Sequence, residues 1–144
     1  MMNRVIVFIN GVRGISVIET IHKSKHEIIA VVTPPNTSEK ISKTIKNLNV
    51  NHLCFENINT EESIEQLTNF DPELFLVAGY STIFKQKVLD IPQLGTINLH
   101  AGRLPEYRGG SPLNWQLING EEMAGISVLF MDEGIDTGCV IAEE

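Results

Sequence analysis

Residues 5–14 read Val5-Ile6-Val7-Phe8-Ile9-Asn10-Gly11-Val12-Arg13-Gly14, and this stretch decides the fold class. Its first five residues are continuously apolar and rich in β-branched and aromatic side chains, which indicates a strand covered on both faces. The glycine-containing turn then leads into a helix predicted over 14–23, with Ile15, Ile18 and Ile21 on one face. A buried strand, a turn and an amphipathic helix in succession predict an α/β fold.

The same alternation of strand and helix patterns continues through the rest of the chain. Further strands are predicted over 27–33, 52–55, 73–78, 95–99 and 126–131, and another begins at 140. Further helices are predicted over 38–48, 85–89 and 112–118, and one more is capped by Asn59 or Thr60 and broken at Asp71-Pro72. We therefore expect one α/β domain with a Rossmann-like, mainly parallel sheet, helices on both faces and right-handed crossovers.

The composition restricts the classes of protein to which the chain can belong. Its net charge of −7 over 144 residues disfavours a nucleic-acid partner or an anionic membrane surface. The apolar run near the N-terminus predicts a strand and not a signal peptide, and no run is long enough to span a bilayer. Cys54 and Cys139 form no CxxC pair, which is typical of reduced thiols. We expect a cytoplasmic protein without membrane contact.

Polar and glycine-rich segments follow the predicted strands at the ends where an α/β sheet binds ligands. These segments are 10–14, 79–82, 98–100 and 132–138, and Arg103 and Arg108 lie in the loop after the third of them. Because the carboxyl ends of parallel strands lie at one edge of a sheet, we expect the segments to meet there. The first segment could present N–H groups to a phosphate or serve only as a tight turn, and both interpretations stay open.

Asn98, His100 and Asp136 are the side chains at that edge best suited to chemistry. An amide can donate to a developing oxyanion, an imidazole can carry a proton near neutral pH, and a carboxylate can orient and charge the imidazole. Asn98 and His100 alternate along one strand and share a face, whereas Asp136, in a glycine-flanked turn, could instead stabilise only that turn. The set suits attack of a neutral amine on a carbonyl.

Two other kinds of site are disfavoured by the motifs. The first turn is not GxGxxG, and the second strand ends without the acidic residue that binds a dinucleotide ribose, which disfavours a nicotinamide dehydrogenase. His22 and His26 are four residues apart on a predicted helix but lack an obvious third ligand, so we expect no metal site.

Two motifs lie between Asn98 and Gly109, namely Asn98-Leu99-His100 and Leu104-Pro105-Glu106-Tyr107-Arg108-Gly109. Together with Asp136 downstream, this stretch resembles the 10-formyltetrahydrofolate-dependent formyltransferases. That family includes methionyl-tRNA, glycinamide ribonucleotide and sugar N-formyltransferases. Its Asn-x-His pair and later Asp fall on Asn98, His100 and Asp136, and its LPxYRG loop falls on 104–109. The resemblance runs along essentially the whole chain.

The resemblance implies a folate-dependent enzyme with Asn98, His100 and Asp136 as catalytic residues, 10-formyltetrahydrofolate as cosubstrate and no metal. It implies that backbone groups of two loops hold the pterin; these include Tyr80, Ser81, Thr82, Ile83 and Phe84 in one loop and Met131, Gly134 and Ile135 in the other. It places the amine substrate against the first turn, and the expected substrate contacts are Asn10, Gly11, Val12, Arg13, Gly14, Arg103, Tyr107 and Arg108.

The acceptor is expected to be the amine of a nucleotide-linked amino sugar. The segment 110–121 looks like the sugar branch of the family, and the chain lacks the longer basic insertion after strand two that resembles tRNA-acting members. The alternatives are a formyltetrahydrofolate hydrolase, a methionyl-tRNA or glycinamide ribonucleotide formyltransferase, and a catalytically silent folate- or nucleotide-binding fragment. A homodimer is also among the expectations.

Members of the family normally continue beyond the Asp loop for a further strand or two and a closing helix. We therefore expect residues 1–144 to be the catalytic, folate-binding domain without its usual last strand and helix. It would be a fragment of a longer enzyme, or a partner would cover the apolar surface left open.

Overall fold

The computed structural model describes residues 2–144, and seven strands in that range form one sheet. The strands are β1 (Arg4–Ile9), β2 (Glu27–Thr33), β3 (Asn51–Cys54), β4 (Leu74–Ala78), β5 (Thr96–His100), β6 (Ser127–Phe130) and β7 (Val140–Glu143). They lie in the order β3-β2-β1-β4-β5-β6-β7, and the first five pair in parallel. The Rossmann-like, mainly parallel sheet predicted from the sequence is confirmed.

The helices are α1 (Arg13–His22), α2 (Glu39–Asn47), α3 (Glu61–Asn69), α4 (Gln86–Leu89) and α5 (Pro112–Ile118). The side chain of Thr60 accepts a hydrogen bond from the Ser63 N–H, so Thr60 and not Asn59 caps α3. Asn59 instead donates from Nδ2 to the Ile83 carbonyl and accepts at Oδ1 from the Lys85 N–H. It thereby ties the start of α3 to the loop that follows β4.

The two faces of β1 pack into two apolar layers, because successive side chains of a strand point to opposite faces. Ile6 and Phe8 belong to a layer shared with α3 and α4, whereas Val7 and Ile9 belong to one shared with α1 and α2. Every residue of 5–9 is at most 2% exposed. Burying an apolar side chain of this size contributes about 1.5–3 kcal/mol, so the central strand fixes the loops at its carboxyl end firmly.

The strand β6 runs antiparallel to β5, which corrects the expectation that the Asp136 loop leaves the sheet at the same edge as the other loops. Ser127 pairs with His100 and Phe130 pairs with Ile97, so β6 ends near the beginning of β5. Residues 131–139 must therefore fold back to bring Asp136 to the carboxyl-terminal half of β5. A short apolar run has the same pattern in either direction, so the sequence did not specify the orientation of β6.

Candidate active site

The side chains of Asn98, His100 and Asp136 lie in contact beside the carboxyl-terminal half of β5. Asn98 Nδ2 donates to Asp136 Oδ1 at 3.3 Å, and His100 Nδ1 lies 3.4 Å from Asp136 Oδ2. The side chains of His100 and Asp136 are 6% and 14% exposed, so solvent ions screen their attraction weakly. One carboxylate thus contacts both the amide and the imidazole.

The loop after β5 holds the imidazole and the carboxylate from the other side. His100 Nε2 lies 2.6 Å from the Tyr107 carbonyl oxygen, and the Gly109 N–H donates to Asp136 Oδ2 at 2.9 Å. A carbonyl oxygen only accepts, so the hydrogen-bond network assigns a proton to Nε2. Nδ1 faces the Asp136 carboxylate, so a protonated ring would place its positive charge 3.4 Å from that negative charge.

An open cleft of about 760 Å³ lies against these three side chains. This volume is within the range of ligand pockets. The lining includes all of the residues expected to hold the pterin, namely Tyr80, Ser81, Thr82, Ile83, Phe84, Met131, Gly134 and Ile135, together with Asn10 and Arg13. The surface of the cleft is mainly apolar, as in most ligand pockets.

Six of the expected substrate contacts lie outside the lining of the cleft; they are Gly11, Val12, Gly14, Arg103, Tyr107 and Arg108. A Cβ at Gly14 would overlap the side chain of Ile9, so glycine there allows α1 to pack closely on β1. Gly11 has a φ of 80°, the left-handed conformation that a tight turn requires. Arg108 donates from Nε to the Asp136 carbonyl at 3.0 Å and so supports the site from behind the cleft.

Hydrogen bonds and burial shift the pKa values of two groups that line the cleft, and of Tyr107 in the loop after β5. The hydrogen bond from the Thr137 hydroxyl, at 2.6 Å, lowers the pKa of Asp132 and keeps this carboxylate charged. Burial raises the pKa of Tyr80, and the hydrogen bond to Glu121 raises the pKa of Tyr107. Both phenols therefore stay neutral at physiological pH.

Gln116 and Ser127 support the loop after β5, and the sequence analysis did not identify either of them. Gln116 Nε2 donates to the Ala101 carbonyl at 3.0 Å, and its Oε1 accepts from the Gly125 N–H at 2.7 Å. Ser127 Oγ donates to the Gly102 carbonyl at 2.8 Å. Their partners are backbone groups distant in sequence, so no local pattern could have identified these two residues as buried.

Comparison with known families identifies the architecture around this cleft. Residues 3–144 match the family model described as "Formyl transferase". The chain belongs to the formyl transferase family. This membership confirms the resemblance carried by Asn98, His100, the 104–109 loop and Asp136.

The proteins similar to this chain are named after three different formyl acceptors. Methionyl-tRNA formyltransferase of Clostridioides difficile is 36% identical over 133 residues, covering 86% of this chain and 43% of the relative. Glycinamide ribonucleotide transformylase 1 of Symbiobacterium toebii superposes with a TM-score of 0.84 at 20% identity, over 99% of this chain and 72% of that one. A sugar N-formyltransferase from Shewanella sp FDAARGOS_354 gives a TM-score of 0.68 at 20% identity, over 100% and 56%. At these identities the solved structures establish the shared fold.

The chain spans less than half the length of the curated relative from Clostridioides difficile. Within residues 2–144, no helix combines the length and apolar character needed to cross a membrane. In the same range, no three His, Cys, Asp or Glu side chains are grouped so that they could hold a metal ion.

Proposed function

We propose that residues 1–144 are the catalytic, folate-binding domain of a cytoplasmic enzyme that transfers a formyl group from 10-formyltetrahydrofolate to a primary amine. The observation that carries this proposal is the contact of Asp136 with both Asn98 and His100 beside the cleft. Membership of the formyl transferase family supports it.

The folate supplies an activated formyl carbonyl when it is bound. The loops 80–84 and 131–137 would hold its ring by their backbone groups and the apolar side chains of Ile83 and Ile135. Fixing both reactants in the cleft removes much of the entropic cost of bringing them together.

Asn98 and His100 would stabilise the negative charge that develops on the formyl oxygen as the amine attacks. Asn98 uses one amide N–H on Asp136 and keeps the second for this oxygen. A protonated His100 would add a positive charge beside this oxygen, and its side chain is only 6% exposed. Asp136 holds that charge in place and, through a water, would accept the proton that the amine nitrogen loses.

The acceptor that we propose is the amine of a nucleotide-linked amino sugar. The segment 110–121 resembles the sugar branch, and a net charge of −7 on this part of the enzyme favours a small acceptor over a nucleic acid. The second candidate is an aminoacyl-tRNA, because the relative with 36% identity bears the name methionyl-tRNA formyltransferase. Glycinamide ribonucleotide and water, the acceptor of a hydrolase, complete the set to be tested.

A competition assay distinguishes these acceptors. The full-length protein is incubated with 10-formyltetrahydrofolate and a mixture of amino-sugar nucleotides, glycinamide ribonucleotide and methionyl-tRNA, and the formylated products are identified by mass spectrometry. We expect formyl transfer to one of the amino-sugar nucleotides. Formylation of methionyl-tRNA would establish the second candidate, and formate release without any amine would identify a hydrolase.

Calorimetry with a stable folate analogue separates binding from catalysis. We expect the analogue to bind at one site and to compete with 10-formyltetrahydrofolate. Binding of the analogue without transfer to any acceptor would identify a silent binding module, and absence of both would refute the proposal.

A further inference from the structure

A second cluster of reactive side chains lies at the ends of β2 and β3, outside the three catalytic candidates. Thr33 pairs with Cys54 across the two strands, and His52 and Cys54 alternate on β3 so that they share a face. The hydroxyl of Thr33 lies 2.8 Å from His52 Nε2 and 3.4 Å from Cys54 Sγ. Cys54 Sγ lies 3.5 Å from the same Nε2. A thiol, a hydroxyl and an imidazole thus meet at three mutual contacts.

The buried hydroxyl of Thr33 can carry a proton from the accessible sulfur of Cys54 to the imidazole of His52. Thr33 is fully buried, whereas Cys54 is exposed. A hydroxyl can accept from the S–H and donate to a ring nitrogen at the same time, so Thr33 links the thiol to the imidazole. Burial lowers the pKa of His52, so its ring is neutral near physiological pH and Nε2 can accept this proton.

We propose that Cys54 is a modification site whose thiol, assisted by Thr33 and His52, attacks small disulfides. The Cys54 S–H passes its proton through the Thr33 hydroxyl to His52 Nε2 as the sulfur attacks. A bond forms between Cys54 Sγ and one sulfur of the disulfide, and the disulfide bond breaks. The departing thiolate takes up the proton from His52. Cys54 is oxidised to a mixed disulfide, and half of the small disulfide leaves as a reduced thiol.

The position of Cys54 connects this modification to the cleft. Phe55, the residue that follows Cys54, packs in the same apolar layer as Tyr80 and Phe84. Tyr80 lines the cleft and packs against Phe84, with ring centroids 6.1 Å apart. An adduct on Cys54 would therefore crowd the wall that we assign to the pterin. This consequence rests on the proposed function, whereas the reactivity of the thiol does not.

Cys139 provides a matched control within the same chain. It is also exposed, and the hydrogen bond that the structure gives its thiol is to the Val140 carbonyl. Cys139→Ser leaves Cys54 as the single thiol, and Cys54→Ser leaves Cys139. Each protein is treated with an excess of 5,5′-dithiobis(2-nitrobenzoate), a small aromatic disulfide, at neutral pH, and the release of the coloured thiol gives the rate.

We expect Cys54 to react at least about 10-fold faster than Cys139, because base assistance by a positioned imidazole accelerates proton removal. His52→Asn and Thr33→Val, made in the Cys139→Ser background, should bring the rate down to that of Cys139. Equal rates for the two thiols, measured in folded Cys139→Ser and folded Cys54→Ser proteins, would overturn the proposal. A fast Cys54 that is unaffected in folded His52→Asn and Thr33→Val proteins would also overturn it.

The link to the cleft is tested separately with the mixed disulfide of the Cys139→Ser protein. We expect the modified protein to bind a stable folate analogue at least about 5-fold more weakly than the unmodified protein, with recovery after dithiothreitol. Equal binding before and after modification would refute the link to the cleft. If the unmodified protein binds no folate analogue, the proposed function fails while the rates of the two thiols still decide the reactivity of Cys54.

Discussion

Replacement of Asp136 by asparagine tests whether one charge organises the candidate active site. Asparagine has the same shape and tolerates the left-handed backbone at this position, where φ is 51°. It removes the negative charge that faces His100 and sets an amide nitrogen against one of the two donors, Asn98 Nδ2 or the Gly109 N–H. The substitution therefore removes the charge and leaves the backbone unchanged.

The magnitude follows from the distance and burial of the pair. Two unit charges 3.4 Å apart attract by about 5 kcal/mol at an effective dielectric constant of about 20. Removing one partner of a buried pair typically costs about 3–5 kcal/mol. If the imidazolium stabilises the formyl oxygen, loss of about 3 kcal/mol from the transition state should lower kcat/KM by about 10²-fold, at about 1.36 kcal/mol for each factor of ten.

Formyl transfer by the full-length enzyme is measured for the wild type, for Asp136→Asn and for the matched control Asp71→Asn. Asp71 also has a left-handed backbone, with a φ of 48°, and lies 3.4 Å from Arg4, but its side chain is 79% exposed. The control should keep kcat/KM within about twofold, because exposed ion pairs contribute little. Circular dichroism verifies that each variant is folded. A folded Asp136→Asn enzyme with wild-type kcat/KM would refute the assigned role of the charge.

Three further predictions follow from single contacts. Asn98→Ala should lower kcat by about 10²–10³-fold, because the developing oxyanion loses a hydrogen-bond donor. The affinity for a folate analogue, measured by calorimetry, should stay the same, and an unchanged kcat would contradict the role of Asn98. Thr60→Ala should lower the free energy of unfolding in urea by about 1 kcal/mol because the Ser63 N–H loses its acceptor, and an unchanged value would exclude the cap. Burial lowers the pKa of His52 below its ordinary value of about 6.5, so below that pH the unfolded chain binds more protons than the folded one and the free energy of unfolding falls as the pH decreases. His52→Gln should make this fall smaller in urea unfolding measured at several pH values, and an identical pH profile for the variant would refute the assignment.

The sequence predicted the parallel part of the fold because its strands are continuous apolar runs covered on both faces. The runs 5–9, 27–33 and 73–78 each coincide with an observed strand to within one residue at either end. Their spacing by amphipathic helices leaves few topologies other than a parallel sheet with right-handed crossovers. The direction of β6 was not predictable in this way, because a short apolar run has the same pattern whether the strand is parallel or antiparallel to β5.

The candidate site was predictable for side chains and much less so for the backbone. The amide, imidazole and carboxylate were identified from their chemistry, and the structure places all three in contact. The contacts that orient them involve the Tyr107 carbonyl and the Gly109 N–H, groups that every residue type provides. Tyr107 was expected to contact the substrate; its hydroxyl donates to Glu121, and neither residue lines the cleft.

The antiparallel orientation of β6 means that the acid and its two partners belong to separate pieces of backbone. Asn98 and His100 are carried by a strand that the parallel sheet locks in place, while Asp136 arrives on a hairpin whose outer strand is exposed at every residue. Local melting of that hairpin would dismantle the site without unfolding the sheet. Amide hydrogens of 127–143 should therefore exchange with deuterium sooner than those of 74–78, and an enzyme sample could lose activity while most of its secondary structure is retained.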